Sequence, residues 1–146
     1  MYDDDYGTCR RTFATLLIYP VRTDPEAITV RLGLEPTFRR RKGGAIPPDA
    51  LPAEIDLWCL STKGRVESRD SRRHIDWLLD AIEGKAAVIR SLQEEGARIA
   101  VSCFWLSQAG EGGPTISPGQ MRRLGGLNIE LWFEFYYDGT DSPAGS

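Results

Sequence analysis

The chain contains a single histidine, His74, so any metal site or catalytic triad that needs imidazole must pass through it. Asp70 lies one helical turn before it and Asp76 two residues after. A carboxylate-oriented general base is the chemistry such a group offers. No serine or cysteine stands at a spacing that names it as the matching nucleophile, so His74 is also readable as a helix-face histidine with an acidic neighbour. It is the one candidate ligand-site residue. Cys9, Cys59 and Cys103 are isolated, without the paired spacing of zinc or redox sites, and read as packed thiols. Gly110-Glu-Gly-Gly-Pro-Thr115 has the glycines of a phosphate loop but lacks the lysine before Ser/Thr, so a flexible loop is expected. No metal or cofactor is implied.

Two further groups of residues can recognise without reacting. Arg39, Arg40, Arg41 and Lys42 form the densest run of charge. On a strand they point alternately to two faces and attract a phosphate backbone or an acidic protein patch, although a charged edge that resists aggregation needs the same residues. Trp132 and Tyr136 share one parity of the last strand-like stretch with Glu130 and Glu134. Exposed Trp and Tyr suit a binding hot spot, and acidic neighbours favour a basic protein or cationic ligand over nucleic acid.

Composition narrows the field. The 146 residues carry a formal charge of -3 and a pI near 5.2, whereas dedicated nucleic-acid modules are usually strongly basic. Nucleic acid is thus a disfavoured partner. An odd number of scattered cysteines fits a reducing compartment, and neither a spanning apolar run nor a secretion signal is present, so a cytoplasmic protein with no membrane role is expected.

The elements that must position these residues follow from periodicity. Residues 11–19 are rich in β-formers and apolar on both parities, as in a central strand with both faces at least partly covered. Thr23-Asp-Pro-Glu26 opens a short helix that Gly33 closes. Residues 39–44 suggest an edge strand and 55–62 another strand. Ile75, Leu78, Leu79 and Ile82 mark an amphipathic helix, interrupted at Gly84 and resumed with Val88, Ile89 and Leu92. Residues 97–106 form a further strand, and Ser117-Pro118 caps a short helix. The final stretch, 128–138, places Ile129, Leu131, Phe133, Phe135 and Tyr137 on the parity expected to be covered by the core. This succession predicts an α+β fold, a ferredoxin-like split βαβ with an appended fifth strand, mostly antiparallel, with helices packed on one sheet face. The domain is expected over residues 11–138, between a loose acidic segment, 1–10, and a flexible tail, 139–146.

Leu32-Gly-Leu-Glu-Pro-Thr37, Leu57-Trp-Cys-Leu-Ser61 and His74-Ile-Asp-Trp-Leu-Leu79, in this order and separation, resemble a bacterial family catalogued as domain of unknown function 4279. The resemblance spans about residues 12–137. It implies a small α+β domain and carries no established activity or catalytic residue. The leading expectation is a non-catalytic domain that binds a protein partner, or its own copy, through the free sheet face or the edge near Trp132. An immunity-type inhibitor of a toxin fits by analogy. The alternatives are a small-molecule-binding or enzymatic domain, and an RNA-binding module using Arg39 to Lys42, although the glycine-aromatic signature of such modules is absent.

Overall fold

The computed structural model describes residues 1–43, 55–137 and 139. In chain order the elements are β1 (Cys9–Tyr19), α1 (Pro25–Leu32), β2 (Phe38–Arg40), β3 (Leu57–Ser61), α2 (Ser71–Ile82), a 3-10 turn (Glu83–Lys85), α3 (Ala86–Glu94), β4 (Arg98–Ser107), α4 (Pro118–Gly126) and β5 (Glu130–Tyr136). They make a mixed α+β fold around one five-stranded sheet of order β2-β3-β1-β4-β5. Neighbours are antiparallel except β4 and β5. That last pair is parallel because α4 forms the return between them.

Local chemistry sets the helix limits. The Asp24 side chain accepts from the Glu26 amide and Pro25 opens α1, while Gly33, at φ 68°, takes the left-handed conformation that ends it. Asp70 caps α2 in the same way. Ser117 and Gln120 form a reciprocal capping box on α4.

All the helices bury their apolar faces in one cluster. Ile28 and Leu32 of α1, Ile75, Leu78, Leu79 and Ile82 of α2, Ile89 and Leu92 of α3 and Leu124 of α4 meet Ala14, Leu16, Ile18, Trp58, Leu60, Ile99 and Val101 of the sheet. Each such side chain stabilises by roughly 1.5–3 kcal/mol when fully buried. Polar ties fix the layering. The Trp58 indole donates to Thr29 Oγ1 at 3.0 Å, joining β3 to α1. Gln120 Nε2 donates to the Arg72 carbonyl at 2.7 Å, and Arg123 bridges to Asp76, Asp80 and Glu83, joining α4 to α2.

Two expectations are corrected. The parity read for β5 holds, but its supposed inner residues are covered only at the start: Ile129 is buried and Leu131 packs on the core, whereas Phe133, Phe135 and Tyr137 are 37%, 58% and 45% exposed. The apolar cluster engages Leu124 of α4 and Leu127 just after it, a few residues before β5, and does not include Phe133 or Phe135. The acidic N-terminal segment, expected to be loose, is docked on α2. The Asp3 amide donates to Asp70 at 2.7 Å, Asp4 pairs with Arg73 at 2.8 Å, and the Tyr2 hydroxyl bonds Asp76. Charge complementarity supplies the ordering that its few apolar atoms do not. Of the tail, only Gly139 falls within the described residues.

Candidate recognition surface

Strand alternation places Ala14, Leu16, Ile18, Leu60, Ile99 and Val101 under the helices and turns the other parity to the opposite face. Every described α-helix joins the cluster on the first parity, so none packs on this face, where Ala100, Ser102, Cys59 and Ser61 are buried and Phe13, Thr15, Leu17 and Phe104 half-buried. Across its middle, Phe13 of β1 is directly opposite Phe104 of β4. Their rings stack with centroids 4.5 Å apart and planes 6° apart. Phe104 in turn meets the Tyr136 ring of β5 at 5.1 Å. The result is a row of three rings crossing three strands. Two cations attend one end of it: the Arg11 guanidinium at 5.7 Å and the Lys63 ammonium at 5.4 Å from the Phe13 centroid.

Beside the row, Trp132 carries the Arg98 guanidinium over its ring at 5.3 Å. Arg98 also pairs with Glu130 at 3.1 Å, and Ser102 donates to Glu134 at 2.7 Å. Both β5 carboxylates are therefore drawn back toward β4. Arg98 offsets the charge of Glu130 in an exposed pair, while Glu134 keeps its full charge beside the Ser102 hydroxyl.

Of the residues singled out in the sequence, Glu130, Trp132, Glu134 and Tyr136 are brought together on this face. Arg39 to Lys42 are not with them. They lie on and just beyond β2, the opposite edge of the sheet. Arg39 reaches Glu26 at 3.6 Å, and Arg41 reaches Asp24 at 3.1 Å and Glu26 at 3.4 Å. The Lys42 amide donates to Asp56. The acidic start of α1 thus accounts for two of these cations, and Arg40 is turned to the uncovered face by its pairing opposite Leu57.

His74 is absent from this surface. It is only 1% exposed, with Nε2 donating to the Ser68 carbonyl at 2.9 Å and Nδ1 2.6 Å from Thr62 Oγ1. A carbonyl can only accept, so the network assigns the proton to Nε2 and leaves Nδ1 to accept from the threonine. Burial pushes the imidazole pKa down, outweighing the Ser68 bond and the Asp70 charge. Asp70 does not orient the ring. It caps α2 and holds Arg72 at 2.7 Å. Burial raises its pKa, but the bonds from Arg72 and from the Asp3 amide prevail and leave the carboxyl below its usual range. The imidazole and its hydroxyl neighbour are both buried, 1% and 0% exposed.

The cysteines are free and buried. Burial pushes the Cys9 thiol up to about 11 and raises those of Cys59 and Cys103, the opposite of what thiolate chemistry requires. Among the described residues no group of three His, Cys, Asp or Glu is placed to hold a metal ion. The glycine loop is braced: Ser107 Oγ accepts from the Gly110 amide at 2.8 Å and donates to the Glu111 carbonyl at 2.9 Å.

Phe13 and Phe104 are the residues that reading the sequence missed. Each lies in a strand whose two apolar parities predict cover on both sides. With apolar residues on both parities from Phe13 to Tyr19, local pattern does not say which parity the helices take.

The model of a family described as domain of unknown function (DUF4279) matches residues 9–138. No curated protein and no solved structure matches the chain. Among the described residues no helix is long and apolar enough to cross a membrane.

Proposed function

The chain belongs to the family described as domain of unknown function (DUF4279), and since that membership brings no reaction with it, we propose on the chain's own surface a non-catalytic, cytoplasmic binding domain that recognises a protein partner through the uncovered face of its sheet. One observation carries this reading: the ring row Phe13, Phe104 and Tyr136 on the face where no described α-helix packs. Aromatic side chains supply large contact area at low entropic cost, and here they already stack on one another in the chain by itself. The strand order β2-β3-β1-β4 supports reading the first four strands as a ferredoxin-like unit extended by β5. A toxin-neutralising inhibitor is one partner relation that such a domain serves, by analogy only.

One observation favours a second reading. Rings on central strands, attended by Arg11 and Lys63, are also what stacks the bases of single-stranded RNA. The acidic net charge argues against it.

The test places a photo-crosslinking amino acid at Tyr136 and identifies the captured polypeptide. The purified pair is then titrated with wild-type protein and with Phe104→Leu and Tyr136→Ser. Binding weakened about tenfold or more by both variants is expected for hot-spot rings. Unchanged affinity rejects the face as the binding surface. Ring-dependent retention on oligouridine with no protein captured replaces this reading by the RNA one.

A further inference from the structure

The two edges of the sheet are built differently. β2 is three residues long and cationic, a short charged edge of the kind that resists pairing with other chains. β5 runs for seven residues, Glu-Leu-Trp-Phe-Glu-Phe-Tyr, with no lysine or proline, and its register against β4 is unbroken by any bulge. Its two carboxylates are held toward β4 by Arg98 and Ser102 and keep a charge that bears on how the edge can pair. Phe133, Phe135, Tyr136 and Tyr137 are all among the exposed large apolar side chains, and Phe133 and Phe135 stack on each other at 5.3 Å. A long, regular, aromatic edge on which no other described strand pairs is a pairing surface.

We propose that the occupant of this edge is a second copy of the chain, with the two β5 strands antiparallel about a two-fold axis through Phe133. Charge and the length of strand paired together select that register. With the axis at Trp132, Glu130 of each copy falls opposite Glu134 of the other, and with it at Glu134 that residue faces itself. Like charges directly opposite destabilise a strand pair. With the axis at Phe133, all seven residues pair and no carboxylate faces a carboxylate. Phe133 then meets Phe133, and Leu131 meets Phe135, on the helix side. On the other side Glu130 meets Tyr136, and Glu134 meets Trp132, over which the Arg98 guanidinium already lies. The ladder groups of both edges are satisfied, and two five-stranded sheets become one of ten. A self-complementary patch closed by a two-fold axis is the commonest form of homo-oligomer. This inference goes beyond the binding proposal, because it uses the edge rather than the open face.

Light scattering of the full chain over a dilution series tests it. A mass of twice 16.3 kDa falling to one copy on dilution is expected, and a single copy at every concentration overturns the proposal. Phe133→Lys sets two ammonium groups against each other at the axis and should weaken association about a hundredfold. Circular dichroism confirms that the variant is folded, and a folded Phe133→Lys that still dimerises as wild type does places the interface elsewhere. Copper-catalysed oxidation reads the register. A mixture of Trp132→Cys and Glu134→Cys copies should form an intermolecular disulfide, while Glu134→Cys alone should not, since Cα atoms more than about 7 Å apart cannot be bridged. Self-crosslinking of Glu134→Cys alone overturns the Phe133 axis. Each of these failures leaves the open-face reading to be decided by its own Phe104 and Tyr136 variants.

Discussion

Phe13 and Phe104 sit directly opposite each other on adjacent antiparallel strands with their rings stacked and nearly parallel, planes 6° apart and centroids at 4.5 Å. The pair fixes the centre of the uncovered face and sets the position of Tyr136 beside it. If the stack is a preformed platform, its rings are coupled before binding. Phe13→Leu, Phe104→Leu and the double variant, compared by urea unfolding, should give a coupling of about 0.5–1.5 kcal/mol. Simple additivity would mean that the rings are neighbours without mutual support.

His74 makes stability depend on pH in a predictable direction. Its folded pKa lies below the unfolded value of about 6.5 because the ring is buried. The unfolded chain therefore takes up the proton first, so the contribution of His74 is complete above about pH 6.5 and is lost as pH falls from there through the folded pKa. Urea midpoints should decline across that interval in wild type. In His74→Gln the decline between pH 7 and 5.5 should flatten, whatever the variant costs in absolute stability.

Asp70 combines a helix cap with a buried ion pair. Asp70→Ala removes the acceptor of the Arg72 and Asp3 amides and leaves the Arg72 guanidinium without its partner. Destabilisation of about 2–4 kcal/mol is expected, measured by denaturant unfolding. Its depressed pKa means that the contribution is present above the unfolded pKa and is lost in acid as pH falls through the folded value.

The basic run should matter little to stability. The Arg39 and Arg41 bridges to α1 join half-exposed side chains, and such pairs contribute about 0–1 kcal/mol. Arg39→Ala with Arg41→Ala should shift the unfolding midpoint only slightly. A large loss would show that this edge carries structure beyond solvation.

Gly112 has a backbone requirement. Its φ is 84°, and a Cβ there would stand 2.4 Å from Thr8 Oγ1 and 2.5 Å from Thr8 Cβ. Gly112→Ala should cost about 1–3 kcal/mol from strain and overlap together. Thr8→Gly should recover only the overlap part, leaving the positive-φ strain, when the two variants are combined and melted.

Local pattern determined much of this protein. The Asp24-Pro25 start and Gly33 stop of α1, the break between α2 and α3 at Gly84, the Ser117 cap and the alternation of β5 were all legible, because each depends on residues within a turn or a strand of one another. The parity of Trp132 and Tyr136 was legible for the same reason. Tertiary structure alone decided the rest. Which strand parity the helices cover depends on how distant segments pack, so Phe13 and Phe104 could not be told from core residues. How far α4 and the core reach along β5 decided that Phe133 and Phe135 stay exposed. The burial of His74 against Thr62 and Ser68, and the pairing of Arg41 with Asp24, bring together groups whose charges are visible in the chain but whose separations in space are set only when the sheet forms.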